Sequence, residues 1–183
     1  MTDKKAVHRG RIWVIADRKG NLIENIDTDQ IYHNAFLHIT EPSQMGQYAL
    51  GNLEGWKDFS KKACSGDILA VGRNFGAGSS RQQAVDCFIS LKIGMILAPS
   101  FGAIYFRNAL NSGFPVIKSP ALEELVRDRK LETGDEIEVD FLKGEGLSLS
   151  KDFSFQVESM SKVQSDIFKA GNLFKYGKTI LKD

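Results

Sequence analysis

The apolar residues change their spacing several times along the chain, and each change marks an element. Arg11-Ile12-Trp13-Val14-Ile15 reads as an opening strand. Asn25-Ile26-Asp27-Thr28-Asp29-Gln30-Ile31 reads as a turn leading into an exposed segment. Residues 41–60 carry Gly46, Gly51 and Gly55 and are expected to hold a short helix within irregular chain. From residue 66 the pattern sharpens. Asp67-Ile68-Leu69-Ala70-Val71 is a short apolar run of the buried-strand kind, and a glycine-rich turn from Gly72 to Gly78 follows it. Ala84, Cys87, Phe88 and Leu91 then fall at i, i+3, i+4 and i+7, one face of a helix that Gly94 ends. Met95-Ile96-Leu97-Ala98 is the next strand. A helix over Ile104 to Ser112 stops at Gly113, with Pro115 just beyond, and Val116-Ile117 begins a third strand.

Strands alternating with helices in this way imply right-handed crossovers and parallel neighbours. Ser119 as a cap and Pro120 in the first turn open a further helix with Glu123 and Glu124. After Gly134-Asp135 the pattern becomes β: Glu136 to Phe141, a turn at Gly144 to Gly146, then Leu147-Ser148-Leu149. Val163, Ile167 and Phe168 suggest a last amphipathic helix near Gly171. The expectation is one α/β domain over residues 1–183 whose C-terminal third is largely antiparallel. No internal repeat or low-complexity linker interrupts it.

The composition narrows the function classes. The chain of 183 residues is 42% hydrophobic and 26% charged, with a formal net charge of +1. Such a balance gives no overall electrostatic pull toward nucleic acid or an anionic membrane. No stretch is apolar for long enough to be a signal peptide or a membrane span, so a cytoplasmic location is expected. Cys64 and Cys87 form no CxxC pair, and the three histidines, His8, His33 and His38, form no HxxxH pair. Neither a disulfide scaffold nor a metal site built by this chain alone is expected, so any metal chemistry must come from another polypeptide.

Asn74-Phe75-Gly76-Ala77-Gly78-Ser79-Ser80-Arg81 lies between a strand and a helix. Its glycines let the backbone turn sharply, and Gly78 lets a ligand approach the main chain. The start of the following helix offers N–H groups and a positive dipole end, which suit a carboxylate. Arg81 adds a planar fork that can grip a carboxylate with two parallel bonds. Ser79 and Ser80 place hydroxyl oxygens in the same turn. A second reading is local: Ser79-x-x-Gln82 and Ser80-x-x-Gln83 both match a capping box, and serines before helices are mostly caps. The glycines form neither a dinucleotide fingerprint, since the third glycine is missing, nor a Walker loop, since no Gly-Lys-Ser/Thr is present.

Three ordered motifs give this chain a resemblance. NFGAGSSR resembles the NFGxGSSR signature of the aconitase-superfamily swivel domain. Asn25 to Ile31 resembles the NxDTDQI motif near the start of isopropylmalate dehydratase small subunits. Ser100-Phe101-x-x-Ile104 through Val116 resembles their SFARIFYRNAxNxGLPV segment, and the match covers nearly the whole chain. The resemblance implies a swivelling β/β/α three-layer domain that closes over a [4Fe-4S] cluster held by a separate large subunit, with no cofactor bound by this chain. It implies that Ser79 is the base that removes a proton from the carbon beside a carboxylate, while Ser80 and Arg81 hold that carboxylate. It also implies that Asp29 helps to organise the site; by the turn reading alone Asp27 and Asp29 are turn residues.

The same resemblance implies a hydro-lyase subunit that isomerises 2-isopropylmalate to 3-isopropylmalate, in leucine biosynthesis, only with its large partner. The substrate class is a small 2-hydroxy di- or tricarboxylic acid, and the isolated chain could form a homo-oligomer. Several positions depart from the family pattern. His38 stands in the substrate-selecting loop, Tyr32 to Thr40, where the family has an arginine, so it is either a substrate-reading group or a surface histidine. Ala77 replaces cysteine or glutamate, Gln82-Gln83 replaces Glu-His, and Gly102-Ala103 replaces Ala-Arg. These departures leave two alternatives open. One is a related hydro-lyase acting on homoaconitate, citrate, or a methyl- or dimethylmalate. The other is a non-catalytic domain that binds a carboxylate or a partner.

Overall fold

The short apolar runs are parallel strands, and their near-complete burial explains why they do not alternate with polar residues. In the computed structural model residues 6–181 are described. The first residues of the start read above as lacking a signal-type stretch therefore lie outside them. The strands are β1 (Val7–Val14), β2 (Ile68–Ala70), β3 (Met95–Ala98), β4 (Val116–Lys118), β5 (Glu136–Asp140), β6 (Glu145–Ser148) and β7 (Phe153–Gln156). They form one seven-stranded sheet in the order β4-β3-β2-β1-β5-β6-β7.

β1 joins two kinds of sheet. Its last residues pair in parallel with β2, Ile12 opposite Ile68 and Val14 opposite Ala70. Its first residues pair antiparallel with β5, Val7 opposite Asp140 and Arg11 opposite Glu136. β2 to β4 continue in parallel, and β5 to β7 continue antiparallel, so the expected change of character in the C-terminal third is present.

The helices are α1 (Thr28–Ile31), α2 (Phe59–Lys62), α3 (Gln83–Ser90), α4 (Ala103–Asn111), α5 (Leu122–Arg127), α6 (Lys162–Ala170) and α7 (Leu173–Ile180). Leu69, Ile96, Ala98 and Val116 face one side of the parallel strands. There they meet Ala84, Val85, Cys87 and Phe88 of α3, Tyr105 and Ala109 of α4, and Tyr32 and Phe59 from the long β1–β2 connection. Ile68, Ala70, Met95, Leu97 and Ile117 face the other side. They pack with Leu122, Leu125 and Val126 of α5 and with Ile137, Val139 and Phe155 of the antiparallel strands. The sheet thus curls so that its antiparallel half covers the face opposite α3 and α4, which is the expected layered α/β architecture. Cys64 is exposed and Cys87 buried, and both are free thiols.

Three local expectations need correction. The Asn25–Ile31 stretch is not an exposed turn, because Ile26, Thr28 and Ile31 are buried. Asp27 caps α1 there: its side chain accepts from the Asp29 and Gln30 N–H groups at 2.8 Å each, and Gln30 Oε1 accepts from the Asp27 N–H at 3.0 Å. That is an Asp-x-x-Gln capping box whose signal was in the sequence. Ser119 does not cap α5; it is buried, and its hydroxyl points at the Gln156 carbonyl, 3.5 Å away. Gly146 belongs to β6 rather than to the turn before it. The strand β7 and the helix α7 were not anticipated. α7 buries no residue, and Asn172 Oδ1 caps it by accepting from the Lys175 N–H at 2.8 Å.

One buried acid anchors the start of the parallel sheet. Asp67, 4% exposed, accepts from Arg11 Nη2 at 2.8 Å, Trp13 Nε1 at 2.6 Å and the Cys64 N–H at 2.8 Å. Burial pushes its carboxyl pKa up, but the Arg11, Cys64 and Trp13 bonds outweigh it and hold the carboxyl below its usual range. Asp67→Ala leaves an indole N–H and a backbone N–H without their acceptor, at a cost of about 2 kcal/mol. In urea the midpoint should fall with the slope unchanged; an unmoved midpoint would contradict this account.

Candidate active site

The three motifs, far apart in the chain, meet just beyond the carboxyl ends of β2 and β3, where ligands bind in open α/β sheets. The Gly76 N–H donates to the Ile26 carbonyl at 2.8 Å, and the Thr28 N–H donates to the Ala77 carbonyl at 3.0 Å. On the other side the Phe75 N–H donates to the Ser100 carbonyl at 3.2 Å, and the Gly102 N–H returns to the Phe75 carbonyl at 2.8 Å. Asn74 Nδ2 ties the corner to Asn25 Oδ1 at 3.0 Å. The NFGAGSSR loop is therefore held between the start of α1 and the start of α4.

Two glycines make the loop possible. Gly76 has φ +76° and Gly78 has φ +89°, the left-handed region that side chains disfavour. At Gly76 a Cβ would also meet the Tyr105 ring at 2.2 Å. With the loop so turned, Ser79 and Ser80 are exposed. Neither caps a helix: α3 starts later, behind Gln82, whose side chain makes no capping bond. Both capping-box matches are thus unfilled, and the local reading of the two serines is set aside. Gln82 instead donates through Nε2 to Asp86 Oδ1 at 2.8 Å and to Ser112 Oγ at 2.9 Å, tying α3 to the end of α4.

Ser79 Oγ lies 3.1 Å from Thr28 Oγ1. Arg81 is 19% exposed and ion-paired through Nη1 with Asp29 Oδ1 at 2.5 Å. The same nitrogen donates to the Tyr32 carbonyl at 3.1 Å. One nitrogen of the fork is thereby occupied, and the guanidinium is fixed in direction. Asp29 is in turn fixed by the Asn34 N–H at 3.0 Å and Asn52 Nδ2 at 3.1 Å, with His33 Nε2 at 4.0 Å. His33 Nδ1 accepts from the Ala35 N–H at 3.1 Å, which turns Nε2 toward Asp29. The loop histidine singled out from the sequence, His38, is exposed and contacts the Ala35 carbonyl at 3.0 Å; no contact joins it to Ser79, Ser80 or Arg81 among the described residues.

The Arg81 hydrogen bond, more than any other influence, holds the Asp29 carboxyl below its usual range; burial opposes this, and the Asn34 N–H bond and the charges of Arg81 and His33 add to it. A carboxyl whose folded pKa is depressed stabilises the fold above its unfolded pKa and loses that contribution as pH falls through the folded value. Asp29 should therefore lend stability at neutral pH, and that contribution should begin to fall below about pH 4 and fade as pH drops through the depressed folded value. Asp29→Asn should remove part of the stability difference between neutral and acid melts. An identical pH dependence of melting in the variant would disprove the contribution.

Ala77 and Ala103 line a depression of about 280 Å³ with Asn74, Gly76, Gly78, Gly102 and Ile104, beside Ser79. Small residues at both positions leave that space open. No group of three His, Cys, Asp or Glu placed to hold a metal occurs among the described residues. No helix there is long and apolar enough to cross a membrane. Sequence reasoning brought Ser79, Ser80, Arg81, Gly78 and Asp29 into view, and the structure gathers them at one corner. It missed Thr28, His33 and Asn52. Thr28 sits inside a motif already noticed, next to Asp29; Asn52 carries no local signal.

Residues 56–121 match the family model for the aconitase C-terminal domain. The 3-isopropylmalate dehydratase small subunit of Aquifex aeolicus is 37% identical over 93% of this chain and 94% of its own length. The 2,3-dimethylmalate dehydratase small subunit of Eubacterium barkeri is 33% identical over 84% of this chain and 90% of its own length. The crystal structure of 3-isopropylmalate dehydratase from Methanocaldococcus jannaschii superposes with a TM-score of 0.81 at 28% identity, covering 96% of each chain. Likeness over nearly the full length, in sequence and in fold, means that this chain belongs to the 3-isopropylmalate dehydratase small-subunit family of the aconitase superfamily.

Proposed function

We propose that the whole chain acts as one swivel domain, the small subunit of a cytoplasmic hydro-lyase that interconverts 2-isopropylmalate and 3-isopropylmalate in leucine biosynthesis. The observation that carries this reading is the corner itself: an exposed Ser79 hydroxyl and an Arg81 fork fixed by Asp29 lie beyond the carboxyl ends of parallel strands. Arg81 and Ser80 hold a substrate carboxylate, and Gly78 lets it come close to the main chain. Ser79 takes the proton from the carbon beside that carboxylate and returns it in the reverse sense. The C–H electron pair becomes the new C=C bond as hydroxide leaves the neighbouring carbon.

A [4Fe-4S] cluster on the large partner subunit would supply the Lewis acid for the departing hydroxyl. This chain supplies the proton carrier and the carboxylate grip, and it needs the large subunit for turnover. Alone it can self-associate, but in that state it has no complete site.

The relative named for 2,3-dimethylmalate favours a second reading, the same chemistry on a malate with smaller alkyl groups. Homoaconitate and citrate, each with one carboxylate more than isopropylmalate, are the further alternatives. Co-expression with the large subunit and assay against isopropylmalate, dimethylmalate, citrate and homoaconitate separates these readings. Isopropylmalate should give the highest kcat/KM. Preference for dimethylmalate would establish the second reading, and no turnover of any of the four with an intact complex would leave a domain that binds without catalysing.

A further inference from the structure

We propose that Thr28 is the positioning residue for Ser79: its hydroxyl donates to Ser79 Oγ, aims the serine proton toward the substrate, and stabilises the oxyanion once that proton has gone. The inference rests on the reading of Ser79 as the base and deepens it.

Thr28 is 2% exposed, whereas Ser79 is exposed. Their oxygens are 3.1 Å apart, and Ser79 Oγ is the hydrogen-bond partner of the Thr28 hydroxyl among the described residues. A buried hydroxyl places its proton on the acceptor within reach, since an unmade bond there is costly. Ser79, facing outward, has no such constraint. The direction of the bond follows: Thr28 donates and Ser79 accepts. One lone pair of Ser79 is then occupied from below, and its own proton is left to point out of the corner.

The contact does not depend on a chance rotamer. The Thr28 N–H is bound to the Ala77 carbonyl at 3.0 Å, so the backbone of α1 is tied to the serine loop two residues before Ser79. Asp27 caps α1 and holds Thr28 at its first position. As a β-branched residue Thr28 is stiff about χ1. The donor is thus fixed before the serine loses its proton. When the proton leaves, the same bond becomes a charge-assisted one to an oxyanion, stronger than the neutral bond it replaces. The acid–base step is balanced between Ser79 and the substrate: in the addition direction the serine proton goes to the carbon and leaves the oxyanion, in the elimination direction the oxyanion takes that proton back, and Thr28 keeps its own throughout.

The test uses the complex with the large subunit, with 2-isopropylmalate as substrate. Thr28→Val keeps the shape and removes the hydroxyl, and should lower kcat about 100-fold. KM should stay within a few-fold, because the carboxylate grip at Arg81 is untouched. The limb of the kcat–pH profile on which the base ionises should move up by about one pH unit, because the anion has lost a donor. Thr28→Ser restores the hydroxyl and should recover most of the rate. If the valine variant folds poorly, Thr28→Ala removes the same hydroxyl and should show the same kcat fall and the same pH shift. Wild-type kcat and pH profile in the valine or alanine variant, with Ser79→Ala inactive, would overturn the role of Thr28 and leave Ser79 standing. Wild-type rates in both the Thr28 and the Ser79 variants would overturn the reading beneath it.

Discussion

Ser79→Ala should lower kcat of the reconstituted complex by about 1,000-fold or more, with assembly intact and the melting temperature down by only about 2–4 °C. The size of the loss follows from the role proposed for Ser79. A base that carries the proton has no substitute when its oxygen is gone, and water at the same place lacks its fixed position. The smallness of the stability cost follows from the position. Ser79 is exposed, it does not cap α3, and the bond it loses is the one to Thr28. What it takes away is the acceptor of the buried Thr28 hydroxyl, at a cost of about 1 kcal/mol, too little to unfold the chain. KM should move little, since Arg81 and Ser80 still hold the carboxylate. Stopped assays at saturating substrate, with a melting curve of the isolated chain and gel filtration of the complex, give the three readouts. Turnover within ten-fold of wild type would remove Ser79 from the acid–base step.

How much of this was legible in the sequence depends on how far each feature reaches. The parallel strands were plain, because burial on both faces turns Ile68-Leu69-Ala70 and Met95-Ile96-Leu97-Ala98 into unbroken apolar runs. α4 was plain because Gly113 and Pro115 stop it. β7 is only four residues long, and α7 buries nothing, so neither leaves a strong pattern. At the site, the residue types in NFGAGSSR pointed to a carboxylate grip and a hydroxyl. What they could not announce was Arg81 reaching Asp29 across 52 residues, or Ser79 reaching Thr28 across 51. Those contacts exist because the backbone bridges Asp27 to Ala77, a tertiary event with no local code. His38 shows the converse: a departure in a motif drew attention to a side chain that is exposed and bonded to the Ala35 carbonyl, while His33, in the same loop, faces Asp29.

The two glycines of the serine loop should differ sharply in what a methyl group does to them. Gly76→Ala should cost about 4 kcal/mol: part is the strain of a side chain at φ +76°, part the overlap with Tyr105. The overlap cannot be relieved cheaply. The atoms met are Cβ and Cγ of Tyr105, at 2.5 and 2.2 Å, the fixed root of the side chain rather than its tip. Tyr105 is 1% exposed, packs edge-on against Phe75 with ring centroids 5.3 Å apart, and donates its hydroxyl to the Ala84 carbonyl. Gly78→Ala, at φ +89°, meets nothing nearer than 3.8 Å and bears the backbone strain alone, about 1–2 kcal/mol. For a chain of this length that difference is worth several degrees, so the melting temperature should fall by roughly 10 °C for Gly76→Ala and by about a third of that for Gly78→Ala. Turnover should follow a different order. Gly76 holds the loop in register with Ile26, so its variant should lose both stability and rate. Gly78 lies beside Ser79 at the surface, so its variant should lose rate with most of its stability kept. Equal melting temperatures for the two variants would mean that the Tyr105 wall yields, and that the loop is held by its hydrogen bonds to Ile26, Thr28 and Ser100 rather than by the glycine at its turn.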